Sequence, residues 1–204
     1  MPSILTEENK KSKVSIIDGT RRHLLDLDDF TREEIDLVSK TSDAMLEVLG
    51  RDIKKVPTLR GKVIVTLFYE ASTRTRVSFE EAGKLLSADV INVSSSGSSV
   101  EKGESLLNTV RTLQATGADM VVVRHHHSGA PYFMARNLES MGVINGGDGW
   151  HAHPTQALLD VYTMRRHLGS LVGRKICDVS DPESCRDGLR PEPNWLGIAQ
   201  SWSL

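Results

Sequence analysis

The side chains best suited to chemistry lie in four short polar clusters. Ser72-Thr73-Arg74-Thr75-Arg76 follows an apolar run and leads directly into a helical pattern. The free N–H groups of a helix start, with the positive end of the helix dipole, attract an anion. Hydroxyl groups add donors, and a guanidinium grips two phosphate oxygens at once. The same residues also read as an ordinary helix cap with surface arginines, since Ser and Thr favour that position anyway. Both readings stay open on this segment alone.

Arg124 closes the apolar run Met120-Val121-Val122-Val123 and is followed by His125, His126 and His127. A charge at the end of such a strand lies where ligands bind in parallel sheets. Three histidines suggest a metal, but sequence neighbours in an extended segment rarely converge on one ion. The expectation is therefore a loop with exposed histidines and no metal. The third cluster is His151-Ala152-His153-Pro154-Thr155-Gln156. Pro154 suits the first position of a helix, which puts His153 at its start, where the dipole favours the neutral ring. Gln156, three residues on, shares that face. An imidazole donor beside an amide suits polarisation of a carbonyl and recognition of an NH2 group. A capping histidine with a solvated glutamine accounts for the same letters. His151 and His153 lack the partners of a zinc site. In the fourth cluster, Ser98 and Lys102 belong to the Ser/Gly-rich stretch SSSGSSVEKGES. Such stretches are usually flexible, but a lysine opening a helix opposes the dipole and hints at another use.

The elements that must position these groups alternate regularly. The segment DFTREEIDLVSKTSDAMLEVL has apolar residues at helical spacing, Thr31 and Glu34 form a capping-box pattern, and Gly50 is a stop. Strands are then expected at KVIVTLF, DVINV, DMVVVR, MGVIN and GRKICDV. Helices are expected between them at RTRVSFEEAGKLLSA, EKGESLLNTVRTLQATG, APYFMARNLES and HPTQALLDVYTMRRHL. This alternation predicts an α/β fold, a parallel sheet flanked by helices, with all four polar clusters at the carboxyl ends of strands. Residues 1–21 read as an N-terminal tail, 22–179 as one domain, and 180–204 as an extension without apolar period.

Composition limits the alternatives. A net charge of −2 argues against a dedicated nucleic-acid binder. Cys177 and Cys185 fit free thiols in a reducing compartment better than a disulfide framework. No apolar run approaches the ~20 residues of a membrane span, and the polar start lacks a signal-peptide core, so a cytoplasmic location is expected.

The segments FYEASTRTRVSFEEAG, EKGES, GADMVVVRHHHSGAP and NGGDGWHAHPTQALLDVYT together resemble the carbamoyltransferase family in order and spacing, over roughly Arg22 to Val179. STRTR and HPTQ are shared with the ornithine branch. Lys102, Arg124-His125 and GDG-x-H-x-HPTQALLD resemble the aspartate branch more. The resemblance implies transfer of a carbamoyl group from carbamoyl phosphate to L-aspartate in pyrimidine biosynthesis, without metal or organic cofactor. It implies that Ser72, Thr73, Arg74 and Thr75 cradle the phosphate. Arg124 then reaches phosphate and carbonyl, His153 polarises the carbonyl, and Gln156 reads the NH2 group. Ser98 and Lys102 match a loop that enters a neighbouring subunit's site, which implies a homotrimer, and regulatory chains are possible partners. Family members continue into a second, aspartate-binding domain. Arg186 falls at the position of an aspartate-binding arginine, in an altered context. A chain lacking that domain is expected to be a truncated product, and a remnant that binds carbamoyl phosphate without catalysis is the alternative.

Overall fold

The computed structural model describes residues 15–17, 19–94 and 105–174. Helix α1, Arg32–Leu49, starts as its sequence dictates: Thr31 Oγ1 accepts from Glu34 N, and Glu34 Oε2 accepts from Thr31 N. Gly50 is its C-cap. The chain then runs β1 (Val63–Phe68), α2 (Thr73–Leu85), β2 (Asp89–Ser94), α3 (Leu106–Ala115), β3 (Met120–His125), α4 (Ala130–Asn137), β4 (Gly142–Asp148) and α5 (Pro154–Leu168). The four strands form one parallel sheet in the order β2-β1-β3-β4. The expected α/β architecture is the one observed.

Alternation along the strands builds a core on each face. Val65 and Leu67 of β1 join Val121 and Val123 of β3, Val110 of α3 and Met134 of α4 on one side. Ile64, Phe68 and Val122 face the other side, where Phe79 of α2 packs on them. Gly83 of α2 lies so near β2 that an added Cβ would sit 2.6 Å from Val90 Cγ2. A third cluster joins α1 and α5 through Ile35, Val161, Phe30 and Leu171. Leu24 bridges β4 at Ile144 in parallel.

Several boundaries differ from expectation. α3 begins at Leu106 because Ser105 caps it, its hydroxyl accepting from Asn108 N. β4 runs on through Asn145-Gly146-Gly147 to Asp148, since these residues are buried with the strand. Gly173 lies in a turn and Arg174 follows it outside any strand, and residues 175–179 of the expected fifth strand, with the 180–204 extension, lie outside the described residues. So do Ser98, Lys102 and Arg186.

Candidate active site

The strand order decides where the site is. After β1 the chain moves outward to β2, then crosses back over β1 to β3 and outward again to β4. The connections leaving β1 and β3 therefore diverge, α2 packing on one face of the sheet and α4 on the other. Such a switch point opens a crevice at the carboxyl ends of the two strands. Two of the sequence-selected clusters lead out of these neighbouring strands.

From β1, Glu70 and Ala71 lead to Ser72, the N-cap of α2. α1 and α3 are capped by their own hydroxyl groups, whereas Ser72 makes no capping bond and α2 has no acidic residue in its first turn. Ser72 Oγ instead donates to Thr75 Oγ1 at 3.0 Å, which ties the hydroxyl pair together above the free amides. Thr73 and Arg74 are exposed, and Ser72 and Thr75 are half-buried. This helix start is furnished for an anion.

From β3, Arg124 reaches across the crevice. Nη1 donates to Gly146 O at 3.0 Å, Nη2 lies 3.2 Å from Glu70 Oε2, and the buried Nε has no partner. A buried donor without an acceptor is uncommon, and a ligand oxygen would satisfy it. Glu70, two residues before the Ser72–Arg76 cluster and not singled out by its sequence, holds the guanidinium from the β1 side. Their contact is partly exposed, so it contributes little stability and can be exchanged for a ligand.

His153 stands at the start of α5 as expected, with Nδ1 3.3 Å from Thr155 Oγ1. Burial, and then the neighbouring Arg124 charge, lower its pKa and favour the neutral ring. Gln156 is not turned to the site: its Nε2 donates to Asp160 Oδ1 at 3.0 Å, along its own helix. The three-residue spacing that sets Gln156 on the face of His153 does not reveal this competing partner.

Gly147 separates Arg124 from His153. It has φ +114°, and a Cβ there would overlap Arg124 Nη1, at 3.2 Å from Cζ and 3.4 Å from His153 Cδ2. Only glycine leaves that space to the guanidinium. The Gly-Gly pair at the strand end was the available signal. Gly147→Ala is expected to cost about 1–3 kcal/mol of stability through backbone strain. It should also weaken phosphate binding, by moving Arg124 off Gly146 O. Denaturant unfolding combined with phosphate titration tests this, and unchanged affinity would refute the role given to Gly147.

Asp148 is the buried hub of the same loop, also unread from sequence. Its Oδ1 accepts from Asn145 Nδ2 and Ala152 N, each at 2.9 Å, and its Oδ2 from Gly129 N at 2.8 Å. His151 Nδ1 lies 3.1 Å from Oδ2. Asn145 adds Leu25 O at 2.9 Å and accepts from Gly147 N at 2.9 Å. A polar Asn and Asp closing an apolar strand are costly unless fully bonded, and here their bonds fix the loop that carries His153.

The expected loop of exposed histidines needs correction at His125. It is the last residue of β3, 7% exposed, and packs on Tyr69 at 4.7 Å between ring centroids. Its Nδ1 accepts from His127 N at 2.9 Å. Burial and the adjacent imidazoles lower its pKa to about 4. His126 and His127 are exposed.

Residues 22–166 match the family model described as the aspartate/ornithine carbamoyltransferase, carbamoyl-P binding domain. The chain belongs to the aspartate/ornithine carbamoyltransferase family. Among curated members of that family, it is 63% identical over 161 residues to the aspartate carbamoyltransferase catalytic subunit of Roseiflexus castenholzii, covering 79% of this chain and 50% of that one. It is 56% identical over 182 residues to that of Dehalococcoides mccartyi, covering 89% and 55%. Its fold matches the solved catalytic subunit of M. jannaschii aspartate transcarbamoylase with TM-score 0.68 and 41% identity, over 75% of this chain and 49% of that one. It also matches the Trypanosoma cruzi aspartate transcarbamoylase solved with carbamoyl aspartate and phosphate, with TM-score 0.70 and 33% identity, over 74% and 48%. The chain thus spans about half the length of the relatives it matches.

Proposed function

We propose that the chain supplies the carbamoyl phosphate-binding half of an aspartate carbamoyltransferase. The observation that carries this reading is the meeting of an uncapped helix start and an arginine with a spare buried donor at one switch point. Ser72, Thr73, Arg74 and Thr75 take the phosphate, and Arg124 exchanges Glu70 for phosphate and carbonyl oxygens. Neutral His153 donates to the carbonyl, and Gln156 reads the NH2 group after leaving Asp160. The neutral amine of L-aspartate attacks the carbamoyl carbon. The resulting oxyanion is stabilised by Thr75, Arg124 and His153. Cleavage of the bond to the phosphate oxygen then releases phosphate, which accepts the amine proton. The products are N-carbamoyl-L-aspartate and phosphate, the step that feeds pyrimidine synthesis in the cytoplasm. No metal or organic cofactor enters this scheme.

Lys102, brought by the Ser98 loop of a neighbouring copy, and Arg186 would hold the aspartate carboxylates. A homotrimer with shared sites follows from that assignment, and regulatory chains could attach to it. The division into 1–21, 22–179 and 180–204 belongs to the same reading. Calorimetric titration with carbamoyl phosphate, coupled to sedimentation, tests the proposal. One site per chain, competed by inorganic phosphate, and a trimer at high concentration are expected. A folded chain that binds neither ligand would overturn the site, and a strict monomer would overturn the shared one.

A further inference from the structure

We propose that His125, His126 and His127 form a binding site for a divalent transition ion such as Zn2+ or Ni2+, separate from the phosphate site. In an extended strand, successive side chains point to opposite faces and these three rings could not meet. Here β3 ends at His125 and the chain turns at once toward α4, which begins at Ala130. The turn brings one ring nitrogen from each histidine within 4.8 Å of the others. Ring centroids are 4.5 Å apart for His125 and His126, 4.1 Å for His126 and His127, and 5.1 Å for His125 and His127.

The trio has a fixed member and two adjustable ones. His125 is buried in the strand and held by the Tyr69 ring. Its Nδ1 lone pair points into the turn, where it accepts from His127 N. An ion that takes this lone pair displaces the amide hydrogen, which turns to water, while the ring proton stays on Nε2. No proton has to leave His125. His126 and His127 are exposed and free to rotate about their side-chain bonds. Two nitrogens on a tetrahedral ion at ~2.1 Å lie about 3.4 Å apart, a spacing that such rotation reaches from the present one. Imidazole nitrogen without carboxylate favours Zn2+, Ni2+ or Cu2+ over Mg2+ and Ca2+, which require oxygen ligands. The turn is also seated firmly: a Cβ on Gly149 would lie 2.6 Å from His126 O, so the next loop packs directly against it.

The test is calorimetric titration of the tag-free 204-residue chain with ZnCl2, and separately with NiCl2, in phosphate-free buffer. One ion per chain is expected. His127→Ser should weaken it at least as much as the roughly 10–100-fold that loss of a supporting partner costs other metal sites. The double variant His126→Ser/His127→Ser should lose binding while keeping phosphate affinity and the wild-type circular dichroism spectrum. His151→Ser, which alters a half-buried loop histidine outside the trio, should bind like wild type. Undiminished binding by the double variant, loss of binding in His151→Ser, or a folded wild-type chain that takes up no ion would each overturn the proposal.

Discussion

On its own, the 204-residue chain is expected to make no carbamoyl aspartate above background, even with both substrates saturating. Arg124 lies against Glu70, His153 stands at the start of α5 and Thr75 lies in the first turn of α2, groups that suit a phosphate and a carbonyl. The matched region makes up about half of each relative's length. Aligning two bound reactants and excluding solvent supplies roughly 7–11 kcal/mol in well-oriented reactions. A crevice built from the matched half alone, without the half of each relative that lies beyond it, forfeits most of that. Fusing the second half of a family member after Val179 should restore turnover, measured as carbamoyl aspartate formed. Robust turnover by the short chain would refute the argument. An inactive fusion that folds well would instead count against the residues assigned here.

Arg74→Ala should abolish measurable phosphate binding, and Arg124→Lys should weaken it strongly. A hydrogen bond to a charged group is worth about 1.5–3 kcal/mol, so one bidentate guanidinium decides between binding and none at millimolar ligand. Lysine at 124 keeps the charge but cannot hold Gly146 O and a ligand in one plane. Arg74 is exposed and builds no part of the core, so its removal should leave the unfolding midpoint near that of wild type. Equal phosphate affinity in Arg74→Ala and wild type, measured by calorimetry, would remove the first cluster from the site.

Much of this arrangement was legible because local chemistry and tertiary structure agree. Thr31 and Glu34 make the capping box their spacing announces, and the run Val121-Val122-Val123 is a strand buried on both faces. Pro154 opens α5, so His153 falls at its start. The remainder depends on contacts between segments far apart in sequence. Nothing local says that β1 lies beside β3 and not between β2 and an outer edge, yet this order creates the crevice. Gly147 owes its importance to Arg124, 23 positions away, and Glu70 to the same guanidinium. Gln156 shows the opposite case: a nearer partner, Asp160, engages its amide. His125 read as part of a polar loop, although the strand buries it before the turn begins.

The segment before α1 also governs how the sheet behaves toward other copies. A strand edge with unpaired N–H and C=O groups is a template for uncontrolled pairing and aggregation. On the outer side of β4, Leu24 N donates to Val143 O and Asn145 N donates to Leu24 O, both at 2.8 Å. Val143 N donates to His23 Nδ1 at 3.1 Å, and Arg22 reaches Glu139 O close by. These three residues seal the edge with backbone and side-chain partners, without adding a full strand. At the opposite side, β2 carries no such strap among the described residues, and Ile91 is half exposed there. Intermolecular strand addition, where it occurs, is thereby directed to one border of the sheet, away from the strand whose end carries Gly147 and Asp148.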